Sequence, residues 1–539
     1  MTEALLTVRN LSVDFHTARG TVHAVRNASW SVNRGETLAI LGESGSGKSV
    51  SASAVMNLLD IPPAEVVSGE ILFEGKDLLK VSYEEHRALN GKRIAMIFQD
   101  PLGHLNPVYT VGWQIVEMMT AHGRPANKAR ARALELVTRV GIPDPEKALK
   151  KYPHEFSGGQ RQRLMIAMAL MLKPDILIAD EPTTALDVTI QAEVLALLKE
   201  LQAETGMGLV LITHDLGVVA EIADRVVVMS QGEIVEEGSV REVYHHPRHP
   251  YTRKLIGAAP GKGEIKQPAT DAPALLEVRE LAKSYGKFTA LKDASFTLSR
   301  GQSLAVVGES GSGKSTLART ILRLEKADSG KALWKGKDLI TMSPRELLSV
   351  RREIQMVFQD PTQSLNPRMS VYQLISEGWD IHRLMPDRKA RRRRVDELLE
   401  QVGLLPEHAE RYPHQFSGGQ RQRIAIARAL ALEPELIICD EAVSALDVSV
   451  QAQVMALLDG LRKKFGISYL FIAHDLGVVR DFADMVLVMK SGEIVEGGPT
   501  EKVFNAPEHP YTRRLLAANL DPDPDVQAQR RQMAATAPS

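Results

Sequence analysis

The octamer "GESGSGKS" occurs twice, at 42–49 and 308–315, and has the composition of a phosphate cradle. Gly42, Gly45 and Gly47, and Gly308, Gly311 and Gly313, let backbone N–H groups close around anionic oxygens. Lys48 and Lys314 can reach the outer phosphates of a nucleotide, and Ser49 and Ser315 offer hydroxyls to Mg²⁺. Asp180 and Asp440 end the apolar runs "DILIAD" and "ELIICD", where a carboxylate can hold the magnesium through water. Glu181 and Glu441 follow directly and are placed to polarise an attacking water. Gln99 and Gln359, after "MIF" and "MVF", can reach the metal or the water from a loop. His214 and His474 end further apolar runs, where an imidazole can contact a γ-phosphate. A glycine-rich turn, an acidic helix cap or a core histidine would explain each of these alone. Their common order, met twice, favours nucleotide chemistry.

The elements that position these residues are legible as a repeat. "FQDP", "FSGGQRQR", the acidic pairs, "HDLGVV" and "HPYTR" all recur 260 residues apart, whereas the two glycine loops are 266 apart. The chain is thus two homologous halves, the first with six extra residues around "IPPAEVVSGE". In each half short apolar runs ("TLAIL", "SLAVV") alternate with helical patterns, and the runs end in polar groups. That arrangement predicts a largely parallel α/β sheet with functional residues along one edge. The reading divides the chain into a first domain at 1–259, a Pro-, Gly- and Lys-rich linker at 260–274, a second domain at 275–520 and a frayed tail at 521–539.

Bulk composition narrows the function classes. At 539 residues the chain is too long for one core. Lys plus Arg (66) and Asp plus Glu (67) cancel, so no global field favours nucleic acid or anionic lipid. The basic run "RKARRRR" at 388–394 continues into "VDELLE" and reads as a solvated helix face. One cysteine, Cys439, excludes a disulfide framework or a four-cysteine metal site and agrees with a reducing, cytosolic location. The N-terminus lacks a signal-peptide pattern, and no apolar run approaches the roughly 18–20 residues that cross a bilayer. If the protein serves a membrane, it does so from outside the lipid.

Taken in order, the phosphate loop, "FQDP", "SGGQ", "DEPTTALD" or "DEAVSALD", and the strand-final histidine resemble the nucleotide-binding domains of ABC transporters. The resemblance runs from about residue 5 to 520. It implies two tandem P-loop NTPase domains, each with a mostly parallel sheet core, an antiparallel β part and a helical subdomain. It also implies ATP and Mg²⁺ as cofactors, with Ser44, Val50, Ser310 and Thr316 completing the loop contacts and Phe15 and Tyr285 stacking on adenine. The family completes each ATP site with the "SGGQ" of the facing domain. By resemblance one site joins Lys48, Asp180, Glu181 and His214 to Ser417, Gly418, Gly419 and Gln420. The other joins Lys314, Asp440, Glu441 and His474 to Ser157, Gly158, Gly159 and Gln160. Asp187 and Asp447 would cross-link the halves. One chain carrying both faces accounts for the duplication. Val50 in place of the usual Thr, and Ala442 where the first half has Pro182, are small departures that remove no catalytic group.

Within the family, "QDPLGHLNP", "QDPTQSLNPRMSV" and the two "HPYTR" endings resemble the oligopeptide/dipeptide/nickel importer subfamily, the chain looking like a fusion of its two paired ATPases. This implies an importer ATPase peripheral to the cytoplasmic side of the inner membrane, with two permease subunits and, through them, a solute-binding protein as partners. Peptide-like cargo would not touch this chain, and nucleic acid is not expected as a partner. The competing classes are a soluble twin-cassette ATPase acting on ribosomes or nucleic acid, and an exporter ATPase. The short linker and lone cysteine argue against the first, the subfamily endings against the second.

Overall fold

The structure is a computed structural model and describes residues 4–17, 20–99, 101–183, 186–267, 272–444 and 446–536. It forms two compact units, one comprising 1–258 with 520–539, the other 259–519.

In the first unit a six-stranded sheet has the order Glu233–Ser239, Arg225–Ser230, Thr37–Leu41, Gly208–Thr213, Ile176–Asp180, Ile94–Ile97. All neighbours are parallel except the edge strand Glu233–Ser239. "TLAIL" and "ILIAD" are buried at every position, which is why they read as unbroken apolar runs: helices or the second sheet cover both faces. That second sheet is antiparallel, with the order Gly20–Val32, Leu6–Thr17, Ala64–Phe73, Lys76–Asp77. One core lies between the two sheets and holds Leu38, Ile40, Val55, Ile178 and Ile212. The other lies under the helical region and joins Val111–Thr120, Ala126–Arg139 and Gly158–Ala169 through Ile115, Leu136 and Ile166.

The second unit repeats this plan. Its main sheet runs Ile354–Val357, Leu436–Asp440, Ser468–Ile472, Ser303–Val307, Met485–Lys490, Glu493–Pro499. Four of the six extra residues of the first half go into one antiparallel strand: Ala64–Phe73 has ten residues where Ser329–Trp334 has six. The added length pairs Ala64 with Phe15. The basic run lies on the helix Arg388–Gln401, where Arg391, Arg392 and Arg394 pair with Asp380, Glu410 and Glu433.

The expected frayed tail is corrected: Pro524–Thr536 is a helix and groups with the first unit. "DPDPDV" misled because its prolines break periodicity, but Pro524 occupies the first helical position, where a missing N–H costs nothing. Asp523 and Asp525 donate their amides to the side chains of Asp521 and Asp523, and Asp525 pairs with Arg241 and His245. Residues 537–539 of that tail, and 268–271 of the linker, lie outside the described residues. The described part of the linker is tied to the second unit. The Gly261 and Gly263 amides donate to Asp481 at 2.7 and 3.0 Å, and Lys266 pairs with Asp459.

Candidate active sites

Each unit delivers its phosphate loop between a buried strand and a helix, Thr37–Leu41 into Lys48–Val55 and Ser303–Val307 into Lys314–Ile321. Gly47 and Gly313 cap these helices at φ 96° and 104°. A Cβ on either would stand 2.3 or 2.4 Å from the carbonyl oxygen of Ala24 or Ala290, so only glycine fits. Val50 packs against the core, while Ser44, Gly45, Ser310 and Gly311 form the loop's outer turn and Thr316 sits on the helix.

Lys48 is 5% exposed, and its Nζ donates to the carbonyls of Gly42 and Glu43 at 2.7 and 2.8 Å. Lys314 does the same with Gly308 and Glu309 at 2.7 and 2.9 Å. A triphosphate entering the loop can exchange these carbonyls for charge-assisted bonds to its oxygens. Ser49 Oγ donates to Asp180 Oδ1 at 3.0 Å, and Ser315 Oγ to Asp440 Oδ1 at 2.8 Å. Burial, together with the adjacent Glu181 or Glu441, raises both aspartate carboxyls despite that hydrogen bond. A buried hydroxyl–carboxylate pair whose charge is under-compensated fits a hard divalent cation such as Mg²⁺.

Glu181 and Glu441 adopt left-handed backbone at φ 45° and 46°, unusual for a residue with a side chain and a form of strain found at working sites. The Gln99 amide donates to Glu181 Oε2 at 2.7 Å, and His214 Nδ1 lies 3.0 Å from Oε1. In the second unit Gln359 donates to Glu441 at 2.7 Å, whereas His474 Nδ1 stands at 3.8 Å. His474 holds the Glu441 carboxyl below its ordinary value against the effect of burial. Burial would lower the His474 imidazole, but Glu441 raises it. The sequence reading aims glutamine at the metal or water and histidine at phosphate. In this geometry Gln99, Gln359 and His214 hydrogen-bond to the glutamate, and His474 stands near it.

The "SGGQ" segments start helices, as their serines lead one to expect. Ser157 Oγ accepts the Gln160 amide at 3.3 Å, while Gln160 Oε1 accepts the Ser157 amide at 3.1 Å. Ser417 and Gln420 repeat both distances. Gly158 is exposed with open space over its Cα, and Gly418 is close to that. Gly159 and Gly419 instead lie tight against Ile190 and Val450. Arg163 and Arg423 anchor these helices to the carbonyls of Val140 and Val402. Asp187 and Asp447 cap the long helices Val188–Thr205 and Val448–Phe465. Phe15 is half-buried against the core, whereas Tyr285 is 45% exposed with Lys283 Nζ 5.0 Å from its ring.

Sequence reasoning overlooked two kinds of residue. Asp215 and Asp475 accept two amides each at the start of the helix after the histidine, orienting the strand end that carries it. Tyr251 and Tyr511, inside the repeated "HPYTR", accept amides of the phosphate loops. The repeat itself was the available signal.

The family described as ABC transporter matches residues 25–184 and 291–444. The family described as oligopeptide/dipeptide transporter, C-terminal region, matches 235–285 and 495–539. The glutathione import ATP-binding protein GsiA of Escherichia coli (strain K12) is 48% identical over 98% of this chain and 91% of its own. The protein of the same name from Salmonella choleraesuis (strain SC-B67) is 49% identical over the same shares. Among solved structures, cbiO1 from Clostridium perfringens, part of the ABC transporter complex cbiONQ, is 33% identical. It covers 44% of this chain and 92% of its own, with a TM-score of 0.40.

Proposed function

The chain belongs to the ABC transporter family as an ATP-hydrolysing protein with two fused cassettes, and from that premise we propose that it drives an importer of peptide-sized, glutathione-like solutes. The observation that carries this is the pairing, in both halves, of a full set of nucleotide residues with the oligopeptide/dipeptide transporter C-terminal region.

In this reading two ATP molecules bind within one chain. Lys48, Asp180, Glu181 and His214 work with Ser417, Gly418, Gly419 and Gln420; Lys314, Asp440, Glu441 and His474 work with Ser157, Gly158, Gly159 and Gln160. The exposed amide of Gly158 or Gly418 at a helix start supplies donors for a γ-phosphate. Ser49 with Asp180, and Ser315 with Asp440, would hold Mg²⁺, whose charge would offset the negative charge of the phosphates. Glu181 accepts a proton from the attacking water, and the Gln99 and His214 contacts fix the carboxylate for that transfer.

Partners follow from the loops after Gln99 and Gln359. In the second unit a cleft of about 240 Å³ is lined by Phe358, the residue before Gln359, with Leu324, Arg351 and Arg428. Phe358 is 41% exposed there. In the first unit His104 stacks on Phe98 at 4.2 Å in the matching place. We assign these surfaces to two permease subunits, with the chain peripheral at the cytoplasmic face and a solute-binding protein choosing the cargo. Among the described residues no helix is long and apolar enough to cross a membrane.

The test places single cysteines at Leu102 and Thr362 in a Cys439→Ser background. Cross-linking to permeases in membranes, with loss of uptake in cells lacking the gene, is expected. Sedimentation with ribosomes and no membrane association would overturn the importer.

A further inference from the structure

The repeated "HPYTR" follows the same plan in both units, and its histidine, proline and tyrosine each have a mechanical reason. The amides of Arg248 and His249 donate to the Glu236 carboxylate at 2.7 and 3.0 Å, pinning the segment to the edge strand Glu233–Ser239. In the second unit the amides of Glu508 and His509 donate to Glu496 at 2.8 and 3.0 Å. The ring Nδ1 of His249 or His509 accepts the amide of the tyrosine two residues on, at 3.2 Å, capping a helix whose first residue is proline. The tyrosine is thereby held at the second helical position with its hydroxyl directed away from the helix. That hydroxyl accepts the Glu43 amide at 3.2 Å in the first unit and the Glu309 amide at 3.1 Å in the second.

These amides belong to the peptide planes joining Gly42 to Glu43 and Gly308 to Glu309. The carbonyl of each plane accepts from the loop lysine at 2.7 Å. One plane is therefore gripped at both ends, by a tyrosine and by a lysine. When a nucleotide draws the ammonium to its phosphates, the lysine's grip is surrendered and the tyrosine's remains.

We infer that Tyr251 and Tyr511 are positioning residues that keep the first peptide plane of each phosphate loop oriented while the loop lysine is engaged by ATP. The inference rests on the ATP reading of the sites and goes beyond it, because it gives the C-terminal region a part in nucleotide binding. Duplication strengthens it. Lys490 Nζ lies 5.2 Å from the Tyr511 ring, whereas Ser230 stands at the matching place in the first unit, yet the hydroxyl finds the same amide in both.

The experiment compares the full chain with Tyr251→Phe, Tyr511→Phe and the double variant, in which the ring stays and only the hydroxyl goes. Steady-state ATP hydrolysis and equilibrium binding of a fluorescent ATP analogue are read together, with Lys48→Ala, Lys314→Ala as reference. Loss of one neutral hydrogen bond per loop should raise KM and weaken binding about 3- to 10-fold in the double variant, with kcat within about twofold. Thermal unfolding serves as the control for packing. Unchanged KM and binding in the double variant, against lost binding in the lysine variant, would refute the positioning role and leave the ATP sites standing. A fall in melting temperature with kcat and KM both preserved would also refute it, since that is a purely structural role. If the lysine variant binds as the wild type does, the nucleotide reading fails and the inference with it.

Discussion

Glu181 and Glu441 concentrate the proposed chemistry at the scale of single residues. Each sits in a left-handed backbone conformation that a side-chain-bearing residue rarely adopts, and each carboxylate is braced by a glutamine amide. A brace of that kind aligns a base rather than replacing it. Glu181→Gln, Glu441→Gln should therefore lower ATP turnover by about 10²- to 10⁴-fold while preserving nucleotide binding, measured by phosphate release beside equilibrium binding. Gln99→Ala, Gln359→Ala should lose less, because the base remains. The two histidines differ: His214 lies within hydrogen-bonding reach of its glutamate and His474 stands at 3.8 Å. His214→Ala should consequently slow turnover more than His474→Ala does, and equal losses would count against that distinction.

At the scale of elements, the tightest constraint is where each glycine loop passes the neighbouring sheet. Gly47→Ala adds a Cβ at 2.3 Å from a backbone oxygen and at φ 96°, two costs that no side-chain adjustment can relieve. Loss of ATP binding at the first site with little effect on the second is the expected outcome in site-resolved nucleotide cross-linking. The carboxylates that hold the C-terminal helices give a pH signature. Burial would raise the Glu496 carboxyl, but the Glu508 and His509 amides outweigh it and hold it below its ordinary value; Glu236 is shifted the same way. A depressed carboxyl contributes stability above the unfolded value of about 4.3, and that contribution is lost as pH falls through the folded value. Glu236→Gln, Glu496→Gln should thus flatten the melting-temperature profile on the acid side, below about pH 4.3, and lower it at neutral pH.

For the whole molecule, one assignment of chain to unit matters. Residues 520–536 fold with the first unit although they follow the second in sequence. Leu520 packs close to Gly217, at the start of the helix after His214. A chain ending at 519 should show faster hydrogen exchange across Leu216–Ile222 and a lower melting temperature for the first unit. The proposed completion of both ATP sites within one chain makes a second prediction. Small-angle scattering of the double Glu→Gln variant should show compaction on adding ATP without a doubling of mass. A doubled mass would mean that the sandwich forms between chains.

The sequence by itself determined the duplication, the α/β class and the identity of the groups gathered around each phosphate loop. It could do so because a buried strand needs an unbroken apolar run, and because phosphate and magnesium chemistry admits few residue types in few spacings. "SGGQ" likewise revealed its helix start through a serine suited to an N-cap, which is local geometry. What only the tertiary structure decided concerns groups distant in sequence. That Gln99 and His214 turn to Glu181 depends on which strands lie side by side in the sheet, and pairing order leaves no mark in local composition. Tyr251 reaches an amide 208 residues earlier, a contact made when the edge strand and its following helix fold back over the loop. The helix at 524–536 was hidden for a related reason. Its polar, proline-punctuated sequence has no strong periodicity, and its fold is settled by the first unit's surface against which it packs.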